Sequence, residues 1–329
     1  MTNSSHGLSG KELRSSLLAP LGIILGIWLV GVVAFLAVPG GFTTAVAVVI
    51  GLALLLFLVW WTRDARFWTR LLGLLTAVPA LAGIAASLTL GQFRYLLFGF
   101  TATFFLLILY QLYATPISYR VAYRFFRRGE YDRALELVNK SLAARPDFWQ
   151  SWQMRALIHL MHGEFGRAEQ DAREAIRLNP KAHPVYNTLG QVYLAQSRFE
   201  EAAEVYAQAV SLASDLALYH YHLGLSHYRL ANWAKAAEHL AAATRGTLPL
   251  TAYDLLAHYY LGQALMEMGD EETAAKALAA LPNFADGVAY WQEQLAETAE
   301  YAHLALLKAD LADIENLLAQ QGEVNESTD

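Results

Sequence analysis

The chain of 329 residues contains no cysteine, so disulfides, thiol catalysis and zinc–thiolate sites are excluded. It also lacks the phosphate-loop, dinucleotide-binding, nucleophile-elbow and HExxH motifs that mark common enzyme and metal sites. His159 and His162, and the group His220, His222 and His227, have spacings that place side chains on one helix face. Most of these histidines fall where helices pack, so we interpret them as packing residues. We therefore expect a protein that is not an enzyme, with no metal and no cofactor.

Charge is missing from most of the N-terminal third. Residues 15–62, 71–93 and 95–119 contain no Lys, Arg, Asp or Glu. A helix that crosses a bilayer needs about 20 apolar residues, and Pro39-Gly40-Gly41 interrupts the first stretch. The pattern predicts a membrane domain over residues 17–114 with four transmembrane helices, at about 17–38, 42–61, 71–90 and 95–114. The alternatives, a soluble core or a cleaved signal peptide, fit less well because the segments are apolar all round and the first is long.

Basic residues flank alternate ends of these segments. Lys11 and Arg14 precede the first, Arg63 and Arg66 follow the second, and Arg120 follows the fourth. The positive-inside rule therefore predicts that residues 1–16 and the C-terminal half are cytoplasmic, at the inner (plasma) membrane. The spans themselves contain no ionisable residue, which argues against a transporter or channel.

The third predicted span carries small residues and a proline. Ala77, Ala80 and Gly83 suit close contact with another helix. Pro79 is expected to kink the span, because proline cannot donate the backbone hydrogen bond of a helix.

After residue 114 a pattern repeats every 34 residues. The turn Gly129-Glu130-Tyr131 recurs as Gly163-Glu164-Phe165, Ser197-Arg198-Phe199 and Ala231-Asn232-Trp233. An alanine stands three residues after each aromatic, at Ala134, Ala168, Ala202 and Ala236. This period is typical of two antiparallel helices joined by a tight turn. The small alanine lets the second helix approach the first, and the aromatic fills the hairpin.

These positions resemble the tetratricopeptide repeat. The third repeat matches best, through Tyr186, Leu189, Gly190, Tyr193, Phe199, Ala202, Tyr206 and Ala209. The resemblance covers about residues 115–281. It implies a solenoid of four to five hairpins over residues 115–285. Together with the four-helix transmembrane bundle predicted from the apolar stretches, this gives an all-α protein. The fifth hairpin follows a longer loop near residues 245–251, and Pro282 shortens its second helix. We expect a capping helix over residues 286–320 and a disordered tail over 321–329.

In this family the first helices of successive repeats line a concave groove. The corresponding positions here are Tyr119, Tyr123, Phe126, Gln153, Leu157, Asn187, Gln191, Leu194, Tyr221, Leu225, Tyr228, Tyr259 and Gln263. Aromatic and amide side chains on a surface favour the binding of a peptide or helix. Some members of the family bind a C-terminal carboxylate through Lys and Arg in this groove. None of the positions named here holds Lys or Arg, which argues against that ligand. The alternative is that some of them only bury against the C-terminal helix or the bilayer.

Charge also changes along the solenoid. Residues 115–181 have 12 basic and 8 acidic side chains, and residues 182–329 have 6 and 20. The basic part suits contact with membrane lipids, and the acidic part argues against binding of nucleic acid.

We predict a membrane-anchored scaffold or assembly factor that binds a protein partner in the groove or against the bundle. The alternative is a permanent accessory subunit of a larger membrane complex.

Overall fold

The computed structural model describes residues 22, 23, 26, 29, 44–62, 67–92, 94–114, 116–297 and 302–326. These residues form helices joined by short turns, in two compact units over residues 8–120 and 121–329. The N-terminal segment and most of the first predicted span lie outside the described residues.

The apolar unit contains four described helices. They are α1 (Thr44–Trp61), α2 (Phe67–Leu75), α3 (Val78–Leu90) and α4 (Arg94–Ala114). Helix α1 corresponds to the second predicted span, α2 and α3 together to the third, and α4 to the fourth.

Near Pro79 the α-helical hydrogen bonding is interrupted by one tighter turn, in which the N–H groups of Thr76 and Ala77 bond carbonyls three residues earlier. A turn at Thr76 and Ala77 separates α2 from α3, and Pro79 lies in the first turn of α3. The first N–H groups of a helix have no partner within it. That of Ala80 is satisfied from α4, because it donates to the buried Thr103 Oγ1 at 2.9 Å. A side chain of the neighbouring helix therefore stabilises the start of α3.

Helices α3 and α4 touch through two glycines. A Cβ atom at Gly83 would lie 2.5 Å from the Tyr95 carbonyl oxygen, and one at Gly99 would lie 2.4 Å from the Pro79 carbonyl oxygen. Only glycine permits this approach of the two backbones. The predicted close contact at Gly83 is confirmed.

The sequence predicts four spans, and the described residues support fewer. By length and composition, one helical segment among them is long and apolar enough to cross a membrane, Arg70–Leu90, with 21 residues and a mean hydropathy of 2.0. The apolar parts of α1 and α4, Gly51–Trp60 and Arg94–Tyr110, are shorter. The four-helix transmembrane bundle therefore stays a prediction.

The solenoid begins with ten helices that pair into five hairpins. The first helices of the hairpins are α5 (Ile117–Phe126), α7 (Trp149–Met161), α9 (His183–Ala195), α11 (Ala217–Arg229) and α13 (Thr251–Glu267). Their partners are α6 (Tyr131–Ala144), α8 (Phe165–Leu178), α10 (Phe199–Leu212), α12 (Trp233–Arg245) and α14 (Glu271–Leu278). The longer loop before α13 and the short α14 are as predicted.

Each hairpin turns through one residue in the left-handed backbone region. These residues are Gly129, Gly163, Ser197, Ala231 and Gly269, with φ of 75°, 72°, 56°, 55° and 80°. The next residue donates its N–H to a carbonyl five positions earlier, as Asn232 does to His227 at 2.9 Å. This geometry ends a helix with its last carbonyls satisfied. It explains why a small or polar residue recurs at the turn.

The alanines of the repeat lie at the centre of each hairpin. Ala134, Ala168, Ala202 and Ala236 are fully buried, which confirms their predicted packing role. The aromatic three residues before each of them begins the second helix. Glycine has a related role in the first helix, because a Cβ atom at Gly190 would lie 2.5 Å from the Tyr206 ring.

The C-terminal region differs from the prediction. Instead of one capping helix over residues 286–320, a 3₁₀ helix (Leu281–Phe284) leads to α15 (Asp286–Glu297) and α16 (Ala302–Glu326). Residues 298–301 lie outside the described part of the chain. Residues 321–326, where the sequence analysis predicts the start of a disordered tail, are the last residues of α16. Gln321 Nε2 donates to the Leu278 carbonyl at 3.2 Å and ties this end of α16 to α14.

Candidate partner-binding groove

Helix α16 lies across the first helices of the later hairpins. Its side chains Leu307, Leu311 and Ile314 are buried in the same core cluster as Tyr221 of α11 and Leu256 of α13. Its backbone also contacts α9 and α15. We call the face formed by α9, α11 and α13, and covered by α16, the groove.

Arg229 and Asp310 form the main polar contact between the groove and α16. Arg229 is the last residue of α11, and its Nη2 donates to the Asp310 carboxylate and, at 3.1 Å, to the Tyr260 hydroxyl. The Tyr260 hydroxyl in turn donates to Asp310 Oδ2 at 2.7 Å. The guanidinium carbon lies 5.6 Å from the centre of the Tyr228 ring and 5.3 Å from that of Tyr260. Arg229 and Tyr260 thus both bind one carboxylate of α16, and Tyr228 packs against the Arg229 guanidinium.

This contact is nearly shielded from water. The side chains of Arg229 and Asp310 are 12% and 10% exposed. Burial alone lowers the pKa of the Arg229 guanidinium, but Tyr260 and Asp310 outweigh it and the pKa is raised. Burial, followed by the charge of Asp310, raises the pKa of the Tyr260 hydroxyl. Loss of one member of such a pair leaves the other charge buried and uncompensated. Asp310 is therefore a strong determinant of where α16 binds.

A second carboxylate of α16, that of Asp313, also binds the groove. The Tyr259 hydroxyl donates to Asp313 Oδ2 at 2.7 Å, and Gln263 Nε2 donates to the same oxygen at 3.3 Å. Burial and this hydrogen bond raise the pKa of the Tyr259 hydroxyl. The groove therefore presents donors to two carboxylates three residues apart.

The structure brings part of the predicted site together. Tyr259 and Gln263 bind the Asp313 carboxylate, Tyr228 packs against the Arg229 guanidinium, and Leu225 packs against the same core cluster. Tyr221 is only 2% exposed, so it is a core side chain rather than an accessible contact. These groove positions of α11 and α13 are therefore covered by the C-terminal helix, which is the alternative given in the sequence analysis.

The predicted residues of the earlier hairpins have other surroundings. Gln153 Nε2 donates to the Pro184 carbonyl at 3.1 Å and to Thr188 Oγ1 at 3.2 Å, which joins α7 to α9. Leu157 is buried, as is Tyr123. The Phe126 ring lies 5.6 Å from that of Tyr131 in its own hairpin. Tyr119 is buried and lies near the start of α5.

The sequence analysis missed Arg229 and Tyr260. Residues 221, 225 and 229 are four apart, as are 256 and 260, so each set shares one helix face. The family pattern instead selected residues 228 and 259, one position earlier. Arg229 thus adds a cation to a groove whose predicted positions contain none.

A cleft remains between the groove and the C-terminal helices. It has a volume of about 220 Å³, and its lining includes Gln191, Leu194, Leu225, Trp291 and Leu304. The side-chain oxygens of Asn187 and Gln191 are buried and accept no hydrogen bond from the described residues. Helix α16 therefore leaves part of the groove unfilled.

The histidines have packing contacts. His159 Nδ1 lies 2.5 Å from Glu164 Oε2, and His220 Nε2 lies 3.1 Å from the Ser214 carbonyl oxygen. In the described part of the chain, no group of three or more His, Cys, Asp or Glu side chains is placed to hold a metal ion.

Comparison with known proteins supports the repeat architecture. Residues 119–183 and 221–288 match a family model described as tetratricopeptide repeat, and residues 190–230 match one described as TPR repeat. The matched residues of this chain therefore form tetratricopeptide repeats.

Individual relatives match over part of their length. Tetratricopeptide repeat protein 7B of Homo sapiens is 35% identical over 101 residues, which is 30% of this chain and 12% of that protein. The peroxisomal targeting signal receptor of Candida glabrata is 30% identical over 111 residues, 34% of this chain and 18% of the receptor. The chain thus spans less than a fifth of the length of either. Among solved structures, MamA from Desulfovibrio magneticus is 20% identical, with 52% of this chain and 94% of that chain covered and a TM-score of 0.45.

Proposed function

We propose that this protein is a membrane-anchored scaffold or assembly factor that holds a partner polypeptide in the groove. The observation that carries the proposal is the seating of α16. A helix with buried leucines and two paired carboxylates occupies the face of α9, α11 and α13. An amphipathic helix in an apolar groove is a common mode of protein recognition. The name of the Candida glabrata receptor describes recognition of a targeting signal, which is consistent with polypeptide binding by this repeat.

The proposed anchor is the four-helix bundle of residues 17–114. Large apolar side chains cover the outside of its described helices: Leu56, Phe67, Phe98 and Phe105 are 68%, 70%, 68% and 60% exposed. Such a surface is unfavourable in water and favourable in lipid. From the basic flanks we propose the inner (plasma) membrane, with both termini and the solenoid in the cytoplasm and contact with membrane lipids. The proposed role is binding and not catalysis.

The topology can be tested because the chain has no native cysteine. Ser327→Cys should react with a membrane-impermeant maleimide only after the cells are permeabilised. The matched control is Gly40→Cys, between the first two predicted spans, which should react in intact cells. Labelling of Ser327→Cys in intact cells, or extraction of the chain by alkaline carbonate, would contradict the membrane proposal.

Partner binding is tested by affinity purification in mild detergent, followed by mass spectrometry. Arg229→Met removes the cation of the groove, while the exposed Arg245→Met changes the same charge at the end of α12. A scaffold should lose a defined set of proteins with Arg229→Met alone, with helicity unchanged by circular dichroism. Retention of the same proteins by both variants would contradict groove binding and favour the accessory-subunit alternative, with docking through the membrane unit.

A further inference from the structure

We propose that α16 is a displaceable internal ligand of the groove. Its external partner is an amphipathic helix with two carboxylates about one turn apart beside an apolar stripe. This inference rests on the proposed function, because it names the chemistry of the groove's partner and the segment that competes with it.

The chemistry of the partner follows from the donors in the groove. Arg229, Tyr260, Tyr259 and Gln263 all direct N–H or O–H groups toward α16, and each binds a carboxylate oxygen of Asp310 or Asp313. Charge-assisted hydrogen bonds of this kind are stronger than neutral ones. Donors of this number and sign select an acidic helix over a basic or neutral one.

The separate attachment of α15 and α16 supports displacement. Helix α15 packs on α13 and is fixed by Trp291 Nε1, which donates to the Ala252 carbonyl at 2.7 Å. Helix α16 is held by buried side chains on one face, and its opposite face, including Ala309 and Ala312, is exposed. Removal of α16 would thus uncover the groove and leave the five hairpins and α15 in contact.

A partly open cleft of about 220 Å³ lies beside the start of α16 and leaves room for a larger occupant, with Leu304 and Leu307 on its α16 side and Trp291 of α15 also in its lining. Gln191 Oε1 lines this cleft and accepts no hydrogen bond from the described residues. A partner helix with a larger apolar side chain and a donor at this point would fill it better than Leu304 does.

The test uses the full chain in detergent and a fluorescent synthetic peptide with the sequence of residues 302–326. In Asp310→Asn/Asp313→Asn the groove is unaltered but the internal helix loses its charges. This variant should bind the peptide at least about tenfold more tightly than the native chain does, because its own α16 binds the groove more weakly and competes less. Leu311→Ala should open the groove through the apolar face instead. The matched control is Glu315→Gln, whose carboxylate bonds Gln292 of α15 and not the groove.

A second peptide, with both aspartates replaced by asparagine, tests the role of charge and should bind the opened chain at least about tenfold more weakly. Equal affinity of the native and opened chains for the native peptide would show that α16 is not a displaceable ligand. Equal affinity of the two peptides would show that the carboxylates do not define the partner. Circular dichroism should show that the opened chains retain the helicity of the hairpins.

Affinity purification then separates this inference from the proposed function. Opening the groove with Asp310→Asn/Asp313→Asn should increase partner recovery, whereas Arg229→Met should decrease it. If the opened chain binds the peptide but recovers no protein from native membranes, the internal-ligand inference stands and the scaffold proposal fails. If partners are lost with both variants, displacement of α16 by a partner is wrong.

Discussion

A buried ion pair between the two helices of the second hairpin gives the sharpest test of how the solenoid is held together. Arg155 of α7 donates to both carboxylate oxygens of Asp171 of α8, from Nε at 2.7 Å and from Nη2 at 2.8 Å. Its Nη1 also donates to Asn139 of α6 at 3.0 Å. The Asp171 side chain is 5% exposed and that of Arg155 is 24% exposed. The pair therefore joins the two helices of the second hairpin at a carboxylate that is shielded from water, and the bond to Asn139 connects Arg155 to the first hairpin.

Asp171→Ala should lower the free energy of unfolding by about 3 kcal/mol, because it leaves the guanidinium buried without a counter-charge. The expected value lies at the lower end of the range for buried pairs because Arg155 is partly exposed. Arg155→Met should also destabilise the solenoid, since Asp171 then loses its bidentate partner and the nearby His159 Nε2 is 3.7 Å away. In the double variant no charge is stranded, so the double-mutant cycle should show a coupling of about 2 kcal/mol.

The assay is urea unfolding of the full chain in detergent, followed by far-ultraviolet circular dichroism. The control cycle uses Arg133 and Glu130, whose side chains are 69% and 33% exposed and 2.5 Å apart. An exposed pair is expected to couple by less than about 0.5 kcal/mol. If the Arg155–Asp171 coupling is no larger than that of this control, burial does not strengthen the pair and the reasoning fails.

Three further predictions address the turn, the helix crossing and the histidines. Ala231→Gly should raise the free energy of unfolding by about 0.5–1 kcal/mol, because it relieves a left-handed φ of 55°; an unchanged or lower urea midpoint would refute this. Gly99→Ala should destabilise the apolar unit by about 2 kcal/mol or more, since its Cβ meets backbone, while Gly51→Ala, whose nearest contact is a side chain at 3.4 Å, should change the detergent melting temperature little. Burial lowers the pKa of His227 and of His239. As the pH falls below about 6.5, the unfolded chain therefore binds protons before the folded chain does, and the stability, which is complete above this pH, should decline. His239→Gln should make the melting temperature fall less steeply with decreasing pH. An unchanged slope of melting temperature against pH would contradict the assignment of this decline to the buried histidines.

The hairpins could be predicted from the sequence because their determinants are local. Ala202 and Phe199 meet the first helix of the same hairpin, within one period of 34 residues. The repeat pattern also predicted which residues form the turns, although only the structure shows that Ser197 and Ala231 adopt positive φ. Patterns within one repeat are copied along the chain, so each copy strengthens the same interpretation.

The groove contacts could not be predicted because they join distant segments. Arg229 and Asp310 are 81 residues apart, and Tyr259 and Asp313 are 54 apart. Helical spacing indicated that the C-terminal segment is amphipathic but not which surface it covers. The start of α3 shows the same limit, since its Ala80 N–H finds a partner 23 residues away in Thr103.

The attachment of α16 sets the conditions under which any partner can compete. Four residues, 298–301, separate α15 from α16 in the chain. A ligand tethered by so short a segment acts at an effective concentration of the order of millimolar. A partner free in solution at micromolar concentration would have to bind the open groove roughly a thousandfold more tightly than α16 does. Under the membrane anchoring proposed above, a partner in the same membrane would itself be concentrated, and a helix of ordinary affinity could then displace α16.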